Sequence, residues 1–294
     1  YTMLSGTIIP ALPLFTVAGF IISESRSGER LVRLFKALFG WLPGGLTIMA
    51  IVICAFLTTF TGASGVTILA VGGLLFYILT TAGYRKGFST GLLTASGSIG
   101  LLFPPSLPVI IYGVVAQVSI KEMFVGGILP GLFMVLVLAG MGTAASVRQK
   151  VPRTPFRPKE VLPALRDSVL EILLPILVIV FYLKGVMTLV ETAAFSVLYA
   201  FVVEVIVHRD IKWREVPRVF LQSALIMGGV LVILSVAKGL SYYIVDVEFP
   251  TRLADWLHAA VSSKFVFLIL LNLALLVVGC FMDIYSAITV VVPL

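Results

Sequence analysis

The chain has 294 residues, 60% of them hydrophobic and only 12% charged, against roughly 25% charged in a soluble globular protein, so water cannot be its only solvent. Two cysteines and two histidines, set far apart, give no zinc site; Cys54 and Cys280 fall in apolar stretches and are expected as buried, inert thiols. The net charge of +7 would suit nucleic acid, but the basic residues sit where a membrane topology puts them, and no DNA-binding patch is needed.

Uncharged runs extend from Thr7 to Ser23, Leu38 to Tyr84, Gly87 to Ile120, Met123 to Val147 and Val219 to Ala237. A helix needs about 20 residues to cross a lipid core of roughly 30 Å, so several of these runs hold a span or more. Sixteen of the 21 basic residues gather at 24–40, 84–87, 148–167 and 208–218, segments that the positive-inside rule assigns to the cytoplasm. An even number of crossings must then separate successive basic segments, and the runs allow it.

In chain order, a first helix precedes residue 24, and two arms at about 44–60 and 65–82 leave and return through Thr61-Gly62-Ala63-Ser64-Gly65. A segment at about 88–118 crosses to a short outer loop at Ser119–Glu122, and Met123–Val147 returns. The connector 149–167 carries prolines at 152, 155, 158 and 163; proline disrupts helices, so it is expected to be extended. It links a first half, 1–148, to a second, 168–294. There, 168–187 leaves, 190–207 returns with Thr188 and Glu191 at its start, and Arg209–Pro217 lies at the interface with Trp213 at headgroup level. Glu204, near a span end, is expected to snorkel. Residues 219–245 leave again, 246–263 form an outer loop without basic excess, and Lys264 onward re-enters. The chain opens at Tyr1 and stops inside the apolar Val291-Val292-Pro293-Leu294, and is read as a piece of a longer protein.

Three places depart from an inert lipid-facing helix. At Thr58–Thr67 an uncharged turn joins two arms of about 26 Å at 1.5 Å per residue, short for a full crossing. Hydroxyls and small residues there suit a re-entrant hairpin buried in protein, since non-helical backbone survives at membrane depth only when buried or lining a cavity. A tight turn between close-packed helices is the other reading. At Ala95–Pro108, Gly97, Gly100, Pro104, Pro105 and Pro108 stand in mid-run, so the helix should unwind and free carbonyl oxygens. Broken helices at the midplane hold substrate and ion sites in secondary transporters. Ser96, Ser98 and Ser106 add hydroxyl ligands suited to a hard cation, although a proline kink with small packing residues is also compatible. Third, Asp283 stands between the apolar runs 265–282 and 287–294. An ionisable group there is functional by default; capping a helix that starts at Ile284 is the structural alternative.

With these motifs the sequence resembles the large membrane subunit of tripartite ATP-independent periplasmic (TRAP) transporters, across nearly the whole chain. The carriers are Leu42-Pro43-Gly44-Gly45, the tip Thr61-Gly62-Ala63-Ser64, and Ala95 to Pro108, similar to an ASGTLG-type run followed by IPPSIP. Gly126-Gly127-Ile128-Leu129-Pro130-Gly131, Glu191-Thr192-Ala193-Ala194 and Gly279-Cys280-Phe281-Met282-Asp283 also fit. The resemblance implies an all-α integral membrane protein built as an inverted repeat, each half with a re-entrant hairpin and a broken helix, working as an elevator. It implies a multi-pass protein of a prokaryotic inner membrane that imports organic acid anions with sodium as coupling ion. Its partners would be a periplasmic substrate-binding protein and a small membrane subunit. By position, ion or substrate contacts fall on Ser64, Gly65, Ser96, Gly97, Ser98, Pro105 and Ser106, with Asp283 and Ser286 at the second tip; sodium ligands are sought among Ser64, Ser96, Ser98 and Asp283. Two departures matter. Ala63 replaces a frequent serine, and the chain stops within the outer hairpin, so this piece alone should not transport.

An enzyme is disfavoured: a serine protease would need Ser64 or Ser96 beside a histidine, and an aspartyl protease two carboxylates at one site. A carbonyl-lined channel fits less well than alternating access. A single-component sodium-coupled anion symporter of a related superfamily is the main alternative.

Overall fold

Inside lipid a backbone must satisfy its own polar groups, which leaves an open chain only the helix. The computed structural model describes residues 10–152, 158–248, 252 and 263–292, and among them all regular structure is helical. The helices are α1 (Ala11–Glu24), α2 (Ser27–Phe39), α3 (Gly45–Thr61), α4 (Ser64–Thr81), α5 (Lys86–Leu102) and α6 (Leu107–Ala116). They continue with α7 (Ile120–Arg148), α8 (Pro158–Leu183), α9 (Leu189–Val207), α10 (Val216–Asp246), α11 (Lys264–Phe281) and α12 (Ile284–Val291). Five described helices are long and apolar enough to span a membrane, or six if the bent pair α5–α6 counts as one span. The chain divides into one unit of Tyr1–Val109 with Lys121–Ala224 and another of Ile110–Ile120 with Leu225–Leu294.

In the first unit, α1 packs along α9 and α3, α2 lies on α8 and α3, and α3 packs on α5. Only Ile48, Val52 and Phe56 of α3, spaced four apart along one stripe, escape full burial. α3 is therefore enclosed by protein, while its hairpin partner α4 turns Leu69, Leu74 and Tyr77 outward. Close approach relies on small residues: a Cβ at Gly142 would strike Thr47 Oγ1 at 2.2 Å, and one at Gly19 would strike the Phe60 carbonyl at 2.5 Å. In the second unit α11 has no buried residue, and Cys280 on it is exposed. That corrects the expectation of two buried thiols: an apolar run fixes the solvent as lipid, but not whether a given side chain faces lipid or protein. Cys54 is buried as expected.

Three further expectations change. The connector is shorter than its prolines suggested, because α8 begins at Pro158 and continues through Pro163. Proline suits the first helical turn, where its missing N–H is not needed, and Glu160 stands in that turn. The stretch 168–187 stops being helical at Leu183, and α8 is not among the helices that pass as spans. Arg166, Asp167 and Glu171 interrupt its apolar sequence. Most of the outer loop at 246–263, His258 included, lies outside the described residues.

The third change is Glu204, which does not snorkel. It is 1% exposed, and Arg30 Nη2 donates to its Oε2 at 2.7 Å. Arg30 also donates through Nε to Glu171 Oε1 and through Nη1 to Asp210 Oδ2 at 2.6 Å. Burial opposes the Arg30 charge, but Glu204, Asp210 and Glu171 outweigh it and raise the guanidinium pKa above its ordinary value. The contact joins α2, α8 and the end of α9, and so gathers three of the four basic segments on one side of the unit.

Candidate functional site: a hairpin tip seated on a broken helix

The local sequence dictates both halves of the site. α3 ends because Gly62 takes a left-handed conformation, φ +65°, and its N–H caps the Thr58 carbonyl at 2.9 Å. A residue with a Cβ adopts that conformation poorly. Ala63 is extended, and α4 starts at Ser64 with a π turn at Ile68–Gly72. Three hydroxyls close the tip from within. Thr58 Oγ1 donates to Thr67 Oγ1 at 2.9 Å, and Thr61 Oγ1 lies 3.0 Å from Thr67 Oγ1.

The second half is the break. α5 tightens into a 3-10 turn at Gly100–Leu102, the chain passes Phe103, Pro104, Pro105 and Ser106, and α6 continues at an angle of 50°. The Pro104–Pro105 peptide is cis. Neither proline offers an N–H, and Ser106 N bridges the gap to the Phe103 carbonyl at 3.0 Å.

The two halves meet through glycine. A Cβ on Gly100 would stand 2.3 Å from the Ala55 carbonyl oxygen and 2.9 Å from Thr59 N, so α3 rests directly on the start of the break. Thr59 Oγ1 lies 3.0 Å from the Gly100 carbonyl, as well as 2.8 Å from that of Ala55. A Cβ on Gly97 would touch Ile68 at 3.1 Å and the Ser64 carbonyl at 3.5 Å, and one on Gly62 would overlap Leu107 at 2.3 Å. From behind, α7 supports the break, with Gly127 against the Leu102 carbonyl and Gly131 against the Phe103 ring.

The residues expected at the site are thus placed as follows. Ser64 is half-buried and Gly65 exposed at the tip, with Gly97 beneath it. Ser96 is buried and spends its hydroxyl on the Leu92 carbonyl at 2.6 Å. Ser98 is exposed and bonds back to the Ala95 carbonyl at 2.9 Å. Pro105 is buried and lines an apolar crevice with Phe15, Phe124 and Tyr182. Ser106 is fully buried, and its hydroxyl has no hydrogen-bond partner among the described residues, which leaves a buried polar group to be explained. Asp283 and Ser286 fall in the second unit, where Asp283 caps α12: its Oδ2 accepts from Tyr285 N at 2.9 Å and Ser286 N at 3.3 Å. The Ser286 hydroxyl donates to Asp283 Oδ1. Thr58, Thr59, Thr61 and Thr67 complete the tip. The sequence flagged that segment but gave no reason to choose them over the serines, because their partners lie across the hairpin or on another helix.

A chain with this geometry has known relatives. The family model of the tripartite ATP-independent periplasmic transporter, DctM component, matches residues 2–294. The C4-dicarboxylate TRAP transporter large permease protein DctM of Rhodobacter capsulatus is 30% identical over 301 residues, covering 97% of this chain and 68% of that protein. The isethionate TRAP transporter permease protein DctMQ of Oleidesulfovibrio alaskensis is 30% identical over 302 residues, 100% of this chain and 47% of its own length. An ectoine/5-hydroxyectoine TRAP transporter large permease protein, UehC of Ruegeria pomeroyi, is 30% identical over 284 residues, 96% of this chain and 66% of its own. With a hairpin seated on a proline-broken helix and a family match from end to end, this chain belongs to the DctM component of the tripartite ATP-independent periplasmic transporters.

Proposed function

We propose that the protein to which this chain belongs is the large inner-membrane permease of a sodium-coupled importer of small organic acid anions. A periplasmic substrate-binding protein feeds it and a small membrane subunit accompanies it. The observation that carries this reading is the seating of the Thr58–Thr67 tip on the Gly97–Ser106 break. It brings hydroxyl and carbonyl oxygens, and no nitrogen or sulfur ligand, to one non-helical place in an apolar unit. Oxygen-only donors suit a hard cation such as sodium, and the unbonded Ser106 hydroxyl is available to it. Relatives named for dicarboxylate, isethionate and ectoine support a small acidic or zwitterionic solute as substrate. The hairpin and the break form one packed body, as an elevator movement would require, and Asp283 at the start of α12 is the matching tip of an inverted second half.

Proteoliposomes holding the full-length permease with its small subunit test this reading, using a labelled organic-acid panel with and without an inward sodium gradient and the cognate binding protein. Uptake that needs both is the expected result. Sodium-driven uptake without the binding protein would replace the tripartite reading with a single-component symporter, and flux indifferent to sodium would sink the coupling.

A further inference from the structure

The Arg30 cluster has an unbalanced charge. Three carboxylates, Glu171, Glu204 and Asp210, converge on one guanidinium, with side chains 1%, 2% and 10% exposed. One guanidinium against three carboxylates leaves negative charge in excess, in surroundings where a buried charge without a counter-charge is strongly disfavoured. Arg30 engages one oxygen of each carboxylate. The second Glu171 oxygen, Oε2, is buried with no hydrogen-bond partner among the described residues. So is His208 Nδ1, although it lies 3.5 Å from Glu171 Oε1 and 3.7 Å from Glu204 Oε2. One donor atom from each of Glu171, Glu204 and His208 falls within 4.8 Å of the others. A tetrahedral ion with bonds near 2.1 Å holds its ligands about 3.4 Å apart, so small side-chain adjustments close the site.

The backbone is also suited to such a site. Glu204 lies in the π segment Val202–Val207, and His208 follows it directly; π turns recur at functional sites.

We propose that Glu171, Glu204 and His208 bind one divalent transition-metal ion, with Arg30 orienting both glutamates and solvent completing the coordination. An imidazole nitrogen with two carboxylates selects a zinc-like ion over sodium or magnesium. A dication cancels the excess charge, and His208, 20% exposed, gives the ion a way in. The bound ion clips α8 to the end of α9, and through Arg30 to α2. This site is separate from the hairpin and the break, and it stands whether or not transport is sodium-coupled.

The test uses full-length permease purified in detergent on a tag free of histidine. Its metal content is measured by mass spectrometry, and melting is followed after stripping with a chelator and adding back Zn2+. The expected result is about one metal ion per chain, a fall in melting temperature on stripping, and recovery with Zn2+. His208→Ala and Glu171→Gln should each weaken Zn2+ binding on the order of 10-fold or more. Should either variant fail to fold, Co2+ titrated into stripped wild-type protein gives a second readout: the visible bands of a tetrahedral nitrogen and oxygen site are expected. Absence of bound metal, of a Zn2+ effect on melting and of the Co2+ spectrum overturns the proposal, and would leave a proton as the compensating charge.

Discussion

The seat of the hairpin can be tested by adding single methyl groups along one face of α5. In Gly100→Ala the new Cβ would stand 2.3 Å from the Ala55 carbonyl oxygen, 2.6 Å from Thr58 Cβ and 2.9 Å from Thr59 N. Two of these contacts are backbone, which cannot swing aside, so α3 must lift off the break. Overpacking of that kind costs about 1–3 kcal/mol, and the lift also loosens the Thr59 hydroxyl from the Gly100 carbonyl, adding about 1 kcal/mol. Gly97→Ala meets only the tip of Ile68 within 3.4 Å, a flexible side chain that can rotate, and should cost under about 1 kcal/mol. Gly91→Ala meets nothing within 4 Å and gains about 0.5–1 kcal/mol from the helix preference of alanine. The expected order of apparent melting temperature in detergent is therefore Gly91→Ala, wild type, Gly97→Ala, Gly100→Ala, with uptake by the full-length protein lost in the last. A Gly100→Ala protein that melts and transports like the wild type would refute the seating itself, since no relaxed packing leaves room for that methyl group.

Three more changes probe other contacts. Thr59→Val keeps the shape and removes the hydroxyl that reaches Gly100, and should destabilise by about 1 kcal/mol, read as a lower melting temperature at unchanged expression. Arg30→Met leaves Glu171 and Glu204 buried without their partner, a loss of about 3–5 kcal/mol. The yield of monodisperse protein should fall sharply, and adding Glu204→Gln should restore part of it. Asp283→Ala removes the cap of α12, worth about 1 kcal/mol, whereas Asp283→Asn keeps the cap and deletes the charge. Equal sodium affinity for Asn and wild type would restrict Asp283 to capping, and a weaker affinity for Asn would give it a part in the ion site.

The long apolar runs and the break were legible in the sequence because each is imposed locally. A lipid core demands uninterrupted apolar residues, and Pro104 and Pro105 remove hydrogen-bond donors whatever surrounds them. The capping roles of Asp283 and of the Thr188–Glu191 box were readable for the same reason, since each partner lies within three residues. The start of α8 was not: prolines were read as breaking the helix, but Pro158 sits in the first turn, where its missing N–H is not needed. The choice of hydroxyls at the tip was equally hidden. Ser96 and Ser98 stand out in the sequence and donate to carbonyls of their own helix, whereas Thr59, within reach of its own Ala55 carbonyl, also reaches a helix 41 residues away.

Glu204 shows where such reasoning has to change. A single carboxylate near a span end was expected to snorkel to the interface; its partner stands 174 residues earlier. In lipid the better question is how many opposite charges the remaining helices can bring to the same depth. Asking it of α8 and α9 finds Glu171 and Glu204, two acids that must stay buried, and of the described residues only Arg30 carries a buried positive charge. One guanidinium against two acids, and a third at Asp210, leaves a deficit of positive charge. Histidine one residue past the end of α9 is then no bystander in a loop, because its Nδ1 lies 3.5 Å from Glu171 Oε1 and 3.7 Å from Glu204 Oε2, where the proposed metal ion would be shared with the two glutamates.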